Sequence, residues 1–209
     1  MTTEELTFFD NIAPKWDSME VKSTPTKVCE ILNIIGVAEG SDILDLGTGT
    51  GVLLPYLSGM TGSAGTVMAV DFSEGMLAEA ERKFSGLGNV MFSRLDFEEE
   101  REPWRYDLIM MYCVYPHLSY PRETLRRLAA ENLKPGGRII IGFPSDEKFI
   151  NSIHHDHAVE DDLGSEHLPS APVLASRIAK WGLSSRVLAY SPDKYLVEVT
   201  PAEKNSESK

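Results

Sequence analysis

Three glycines at alternate positions, Gly47, Gly49 and Gly51, close the stretch Asp42-Ile-Leu-Asp-Leu-Gly-Thr-Gly-Thr-Gly51. The stretch begins as a short apolar strand, and Val52 and Leu53 beyond it open a helix. Without a Cβ, glycine adopts positive φ and lets backbone approach a ligand, while a helix start offers N–H groups that need partners. Twenty residues past Gly51, Asp71 ends the next strand, where a carboxylate can accept both hydroxyls of a ribose. This is a layout for binding a nucleoside. The dinucleotide fingerprint G-x-G-x-x-G would need a glycine at the sixth position from Gly47, and that position is Val52. The spacing therefore disfavours a nicotinamide cofactor and leaves a nicotinamide-dependent oxidoreductase as the weaker enzymatic reading.

Two groups of histidines could move protons. His117 stands alone in the loop Cys-Val-Tyr-Pro-His117-Leu, where it is either a general base or a surface or capping histidine. The other four of the five lie in Ile153-His-His-Asp-His157 and onward to His167, among carboxylates. If this segment is helical, His154, His157 and Asp161 share one stripe at i, i+3 and i+7, adequate geometry for three ligands to one metal. No HExxH or Cys-His spacing accompanies them, so no metal is assigned. Substrate handling and a solvated acidic lid remain open beside metal binding.

The elements that must position these residues alternate along the chain. Strands are expected at Asp42 to Leu46, Thr66 to Asp71, Val90 to Leu95, Asp107 to Val114 and Arg138 to Phe143, nearly continuous apolar runs of the kind covered on both faces. Helices are expected at Glu4 to Met19, Thr26 to Val37, after a capping Ser73, and at Arg122 to Leu133. Pro144 to Pro169 is polar and shows neither strand alternation nor a long apolar helical stripe, so it reads as an insert or lid. A helix from about Ala171 to Trp181 and two strands, Ser184 to Tyr190 and Lys194 to Thr200, then form a closing antiparallel hairpin. The expected architecture is α/β, one Rossmann-like domain over residues 1–200. It has seven strands, mostly parallel, and helices on both faces. Residues 1–25 form an N-terminal cap, 144–170 a lid over the substrate site and 201–209 a polar tail.

Four stretches in order resemble the class I S-adenosylmethionine-dependent methyltransferases. Beside the glycine loop, Val67-Met-Ala-Val-Asp71-Phe-Ser is similar to the family's second motif and Arg94-Leu-Asp96-Phe97 to its adenine-contacting segment. Tyr106-Asp-Leu-Ile-Met-Met-Tyr112 is similar to its fourth strand, and Leu133-Lys-Pro-Gly-Gly-Arg138 to the turn before its fifth. The opening Phe8-Phe9-Asp10-Asn-Ile-Ala-Pro-Lys-Trp16-Asp17 resembles the cap of the quinone-biosynthesis-like, small-molecule branch. The resemblance covers residues 8–144 well, the final hairpin loosely, and the histidine-rich segment not at all.

The resemblance implies S-adenosyl-L-methionine as cofactor. It implies that Gly47, Thr48 and Gly49 line the methionine end, with Asp45 near the amino group, Asp71 on the ribose and Gly51 also among the cofactor-binding residues. Phe72 and Met76 would pack on the adenine, Asp96 and the Phe97 amide would hydrogen-bond it, and Tyr112 would face the methyl group. Phe72 and Phe97 serve equally well as plain packing. In-line displacement needs alignment rather than a covalent intermediate, and aromatic neighbours such as Tyr112, Phe9 and Trp16 suit a sulfonium whose charge disperses. A hydroxyl or carbon-acid acceptor would need a base, for which His117 is a candidate; a thiol, amine or metalloid would not. From a different class, the chain could sense S-adenosylmethionine or a metal without turnover.

The bulk properties narrow the partners. The 209 residues, 42% hydrophobic and 25% charged, suffice for a full core. The net charge of −12 disfavours nucleic acid and favours a small-molecule acceptor. It is concentrated, because Asp96 to Glu102 holds five acids against one Arg and Asp156 to Glu166 holds five acids and no base. The longest apolar run, Leu108 to Tyr115, has eight residues, too few for a membrane span, and Met-Thr-Thr-Glu-Glu-Leu has no signal-like pattern. A cytoplasmic location is expected. Cys29 and Cys113 read as reduced, buried thiols. Nothing in the pattern fixes an oligomeric state.

Overall fold

The computed structural model describes residues 3–19, 24–158 and 167–202. After helices α1 (Thr3–Met19) and α2 (Thr24–Ile35), strand and helix alternate. In chain order follow β1 (Asp42–Leu46), α3 (Leu54–Thr61), β2 (Thr66–Asp71), α4 (Glu74–Phe84), β3 (Val90–Arg94) and β4 (Tyr106–Tyr112). The chain continues through α5 (Pro121–Arg127), β5 (Leu133–Phe143), α6 (Glu147–Ala158), α7 (Ala171–Lys180), β6 (Leu183–Ser191) and β7 (Lys194–Pro201).

The strands form one sheet in the order β3-β2-β1-β4-β5-β7-β6. Only β7 runs antiparallel, pairing with β5 on one side and β6 on the other. The expected seven-stranded sheet and closing hairpin are both present. Alternate residues of the central strands feed two cores. Leu44, Leu46, Ile109, Met111, Ile139 and Ile141 pack on the face that also holds residues of α5 and α7. Ile43, Val67, Leu108, Met110 and Ile140 pack on the other with residues of α2 and α3. Burial on both faces is why these strands read as apolar runs rather than alternating ones. The chain winds outward from β1 to β3 and returns to place β4 beside β1. That reversal opens a crevice at the carboxyl ends of β1 and β4, the place where open α/β sheets hold ligands.

Several expectations need correction. The segment after Phe143, expected as an insert or lid without a long apolar helical stripe, holds α6, whose start is set by Asp146, with Oδ1 accepting from Phe149 N at 3.0 Å. Among the side chains described on α6, Ile150 is the buried one. The helix expected over Arg122 to Leu133 is shorter, passing into a single π-turn at Leu128–Asn132, and β5 starts at Leu133. Strand β4 stops at Tyr112, because Cys113 takes a positive φ of 60°. Cys29 and Cys113 are exposed, not buried, and form no disulfide. Among the described residues, no helix is long and apolar enough to cross a membrane.

Candidate functional site

Parallel register brings the ends of β1 and β2 level, with Leu46 opposite Val70, so the chain turns at Gly47 beside Asp71. Both Gly47 N and Thr48 N donate to Val70 O at 2.9 Å, which holds the turn to the end of β2. The glycines differ in what they permit. A Cβ on Gly47, at φ +71°, would collide with Val114 Cγ2, so this glycine admits the loop after β4; one on Gly51 would meet Phe84 and Leu54. Gly49, at φ +56°, has nothing within 4 Å of its Cβ position, so its bare face is turned to open space where a ligand could lie against the backbone. Gly51, expected beside the cofactor, thus has side chains of α3 and α4 opposite its Cβ position.

Two carboxylates are sealed into this turn. Thr48 Oγ1 donates to Asp45 Oδ2 at 2.7 Å, and Asp71 accepts from Gly49 N at 2.8 Å and from Ser73 N at 2.9 Å. Burial pushes the Asp45 carboxyl up to about 7, with the nearby charge of Asp71 adding to the rise. Burial likewise lifts Asp71 to about 6, against the opposing pull of its backbone hydrogen bonds. Two desolvated acids beside an open backbone face form a cradle for a ligand carrying a cation and hydroxyl donors.

Helix α1 roofs this cradle. Asp10 Oδ1 accepts from Ser73 Oγ at 2.6 Å and from Gly75 N at 2.9 Å, docking α1 on the first turn of α4. Gly75 makes the approach possible, since a Cβ there would lie 3.0 Å from the Asp10 backbone. At the far end Thr50 Oγ1 and Lys83 Nζ donate to the two oxygens of Asp17 at 2.6 and 2.7 Å, tying α1 to the glycine loop and to α4. Phe9 is the hub beneath the roof, its ring centroid 5.9 Å from Trp16, 6.0 Å from Phe72 and 5.3 Å from His117. His117 sits in the short turn Tyr115–His117 beyond β4, with Nδ1 3.3 Å from Oε1 of the buried Glu5.

A family model described as a methyltransferase domain matches residues 44–139, the span from β1 into β5 that holds both carboxylates. The ubiquinone/menaquinone biosynthesis C-methyltransferase UbiE of Escherichia fergusonii is 33% identical over 160 residues, 75% of this chain and 61% of that protein. A crystal structure of a SAM dependent methyltransferase from Aquifex aeolicus superposes with a TM-score of 0.69 at 28% identity, covering 90% of this chain and 96% of that one. The chain belongs to the class I S-adenosylmethionine-dependent methyltransferases. An arsenite methyltransferase of Aquipseudomonas alcaligenes is also similar, 28% identical over 140 residues, 62% of this chain and 38% of that protein. The chain spans between 38% and 61% of the length of these two curated relatives.

The methyltransferase fold gathers most of the residues that sequence singled out. Asp45, Thr48, Gly49, Asp71, Phe72 and Met76 meet around the turn after β1 and the start of α4, with Phe72 and Met76 buried. Phe9, Trp16 and His117 meet beneath α1. Tyr112 ends β4 opposite Gly142 of β5, half-buried. Asp96 has local work: its Oδ1 accepts from Glu98 N at 3.0 Å and its carbonyl from Glu99 and Glu100 N, so it starts a turn. Phe97 is buried and its carbonyl accepts from Arg127 Nη2, which ties the segment to α5. His154 and His157 lie on α6, while their side chains and Asp161 fall outside the described residues. Among the described residues, no group of His, Cys, Asp and Glu is placed to hold a metal.

Sequence reasoning missed Glu5, Asp10, Thr50 and Asp17. A signal existed in the seven-residue spacing of Asp10 and Asp17, which puts both on one face of α1. A solvated helix face shows the same pattern, and only docking on α4 tells the two apart.

Proposed function

We propose that the protein transfers a methyl group from S-adenosylmethionine to a small-molecule acceptor by in-line displacement, acting in the cytoplasm, where exposed thiols stay reduced. The observation that carries this reading is the pair of desolvated carboxylates, Asp45 and Asp71, around a backbone face left bare by Gly49. When bound, S-adenosylmethionine supplies a methyl group already activated on a sulfonium. The chain's own residues then have to hold, orient and desolvate.

Asp71 binds the ribose. Both of its oxygens already accept backbone N–H groups, which fixes its rotamer, and a carboxylate has lone pairs enough to accept two hydroxyls as well. Asp45 faces the ligand's ammonium group, whose charge draws the carboxyl back to its ionised form. Thr48 and Gly49 border the methionine end. Phe72 and Met76 offer apolar packing to the adenine, with Asp96 and Phe97 at its far edge. Phe9, Trp16 and Tyr112 wall the methyl group with rings in place of carboxylates, so that the sulfonium is not favoured over the transition state in which its charge disperses. His117 takes the proton of an acceptor that has one to lose. The acidic character of the chain agrees with a small acceptor rather than nucleic acid.

Calorimetry with S-adenosylmethionine tests the cofactor half. Asp71→Ala is expected to weaken binding by about 1–3 kcal/mol, the loss associated with charged hydrogen bonds, and unchanged affinity would refute the assignment. Transfer of label from methyl-labelled S-adenosylmethionine into small molecules of a cell extract tests the enzyme half. Tight binding without any transfer would instead mark a sensor.

A further inference from the structure

Two threonines of the glycine loop donate to carboxylates on different elements. Gly47, Gly49 and Gly51 all take positive φ, so the loop is rich in the residue that loses most backbone freedom on ordering. Thr48 and Thr50, which alternate with them, are both buried. Thr48 Oγ1 donates to Asp45 in the strand just before it, a tie that spans three residues. Thr50 Oγ1 donates to Asp17 Oδ1 at 2.6 Å, across 33 residues of chain and onto α1. The first threonine is therefore held locally, whereas the side chain of the second is held when α1 is docked. Asp17 suits that task. Its other oxygen accepts from Lys83 Nζ at 2.7 Å, and Lys83 lies 5.3 Å from the centre of the Phe84 ring that stands opposite Gly51. Burial raises the Asp17 carboxyl, but donation from Lys83 and Thr50 outweighs it and holds the carboxyl below its ordinary value. A charged carboxylate with one oxygen anchored on α4 and the other on the loop fixes the threonine hydroxyl in one direction. Thr50 is bonded in turn to Gly49, the bare backbone face, whose N–H donates to Asp71 Oδ2 at 2.8 Å.

We infer that Asp17 is a positioning residue, which acts through Thr50 to hold the glycine loop in its binding shape and so couples the affinity for an adenosyl ligand to the docking of α1. The inference rests on the methyltransferase reading above and adds a means of regulating that same site. A ligand that lies against Gly49 binds at lower cost when the loop is ordered beforehand. Asp17 needs no contact with the ligand to have this effect. The coupling is reciprocal: docked α1 strengthens binding, and bound ligand strengthens the docking of α1 by the same factor. Lys83 keeps Asp17 in place and is one step further from the ligand.

Calorimetry of the full-length protein with S-adenosylhomocysteine reads the coupling. Thr50→Val removes the hydroxyl at nearly constant shape, and both it and Asp17→Ala are expected to weaken binding roughly 5- to 20-fold, within the usual range of coupling between sites. The double variant should lose no more than the larger of the two losses, because the residues act through one contact. Thr50→Ser keeps the donor and should bind nearly as wild type does. Lys134→Ala loosens the far end of the sheet and should also bind as wild type does, which separates positioning from a general loss of stability. Proteolysis reads the reciprocal effect: saturating S-adenosylhomocysteine should slow cleavage within α1 of wild type and protect Thr50→Val less. Wild-type affinity in Thr50→Val, additive losses in the double variant, or equal protection of α1 in the two proteins would overturn the proposal. If Asp17→Ala does not fold, Thr50→Val against Thr50→Ser decides the matter, since Asp17 keeps its tie to Lys83 in both. Absence of binding by wild type strikes at the cofactor reading and the coupling together, whereas wild-type binding matched by every variant strikes at the coupling alone.

Discussion

Asp45 and Asp71 give the site a dependence on pH whose sign follows from burial. Both carboxyls are raised, to about 7 and about 6, from an ordinary value of 3.8. Between pH 4 and 7 the folded chain therefore holds protons that the unfolded chain has released, and stability falls as pH rises through that window. The contribution is complete below about pH 4 and lost above about pH 7. Ligand-free protein should show a lower urea midpoint at pH 8 than at pH 5, and Asp45→Asn, which cannot ionise, should reduce the difference. An equal fall in the variant would show that Asp45 is ionised throughout. Bound S-adenosylmethionine should oppose the fall, because a cation beside Asp45 favours the charged carboxylate.

At the scale of elements, α1 is a docked cap with few ties. Its attachment runs through Asp10 to Ser73 and Gly75, through Asp17 to Thr50 and Lys83, and through the aromatic hub at Phe9. Asp10 acts as a cap supplied from outside the helix it serves: it takes the N–H of Gly75 and the hydroxyl of Ser73, while Ser73 Oγ accepts from Met76 N at 3.1 Å. Removing it leaves donors at the start of α4 without that acceptor. Asp10→Ala is expected to cost about 1–2 kcal/mol in denaturant unfolding. It should also speed proteolysis within α1 more than elsewhere, because a cap held by a few side chains opens before the sheet does. Loss of stability with cleavage still confined to exposed loops would show that the Asp17 ties and the aromatic hub hold the roof without Asp10.

Across the whole molecule, the sheet is tied at the end away from the glycine loop by charges from three strands. Lys134 Nζ donates to Asp42 Oδ2 at 2.7 Å and Asp107 Oδ2 at 2.8 Å, joining β5, β1 and β4, while Asp42 N donates to the same Asp107 oxygen. The pair holds the Asp107 carboxyl below its ordinary range and raises Lys134. Because these groups are about a third exposed, each contact is worth little by itself. Deleting the cation also leaves two carboxylates facing each other. Lys134→Ala should cost about 1 kcal/mol in low salt, with part of the loss recovered at about 0.5 M NaCl, where screening weakens the repulsion. A loss indifferent to salt would assign it to packing of the lysine stem. Arg138 plays the matching part for the hairpin, with Nη1 donating to Glu198 Oε2 at 3.1 Å and Nη2 to the carbonyls of Ile35 and Gly36.

What could be read in the sequence was what local spacing dictates. Five parallel strands, the glycine turn, Asp71 at the end of β2 and the hairpin all announce themselves within windows of about ten residues, because burial on two faces and positive φ act on neighbours in the chain. Helix α6 could be weighed only conditionally from the sequence, because Ile150 is the one buried side chain among those described on it and leaves no apolar stripe. Cys113 reads as core among apolar neighbours, yet a single positive φ turns it out of the strand. Tertiary structure alone decided which glycine stays bare, since Gly47, Gly49 and Gly51 differ only in whether Val114, Phe84 or nothing stands opposite. It alone brought Asp10 to α4 and Glu5 to His117. Contacts between residues more than sixty apart depend on where the crossovers deliver each element, which no local pattern of residue types encodes.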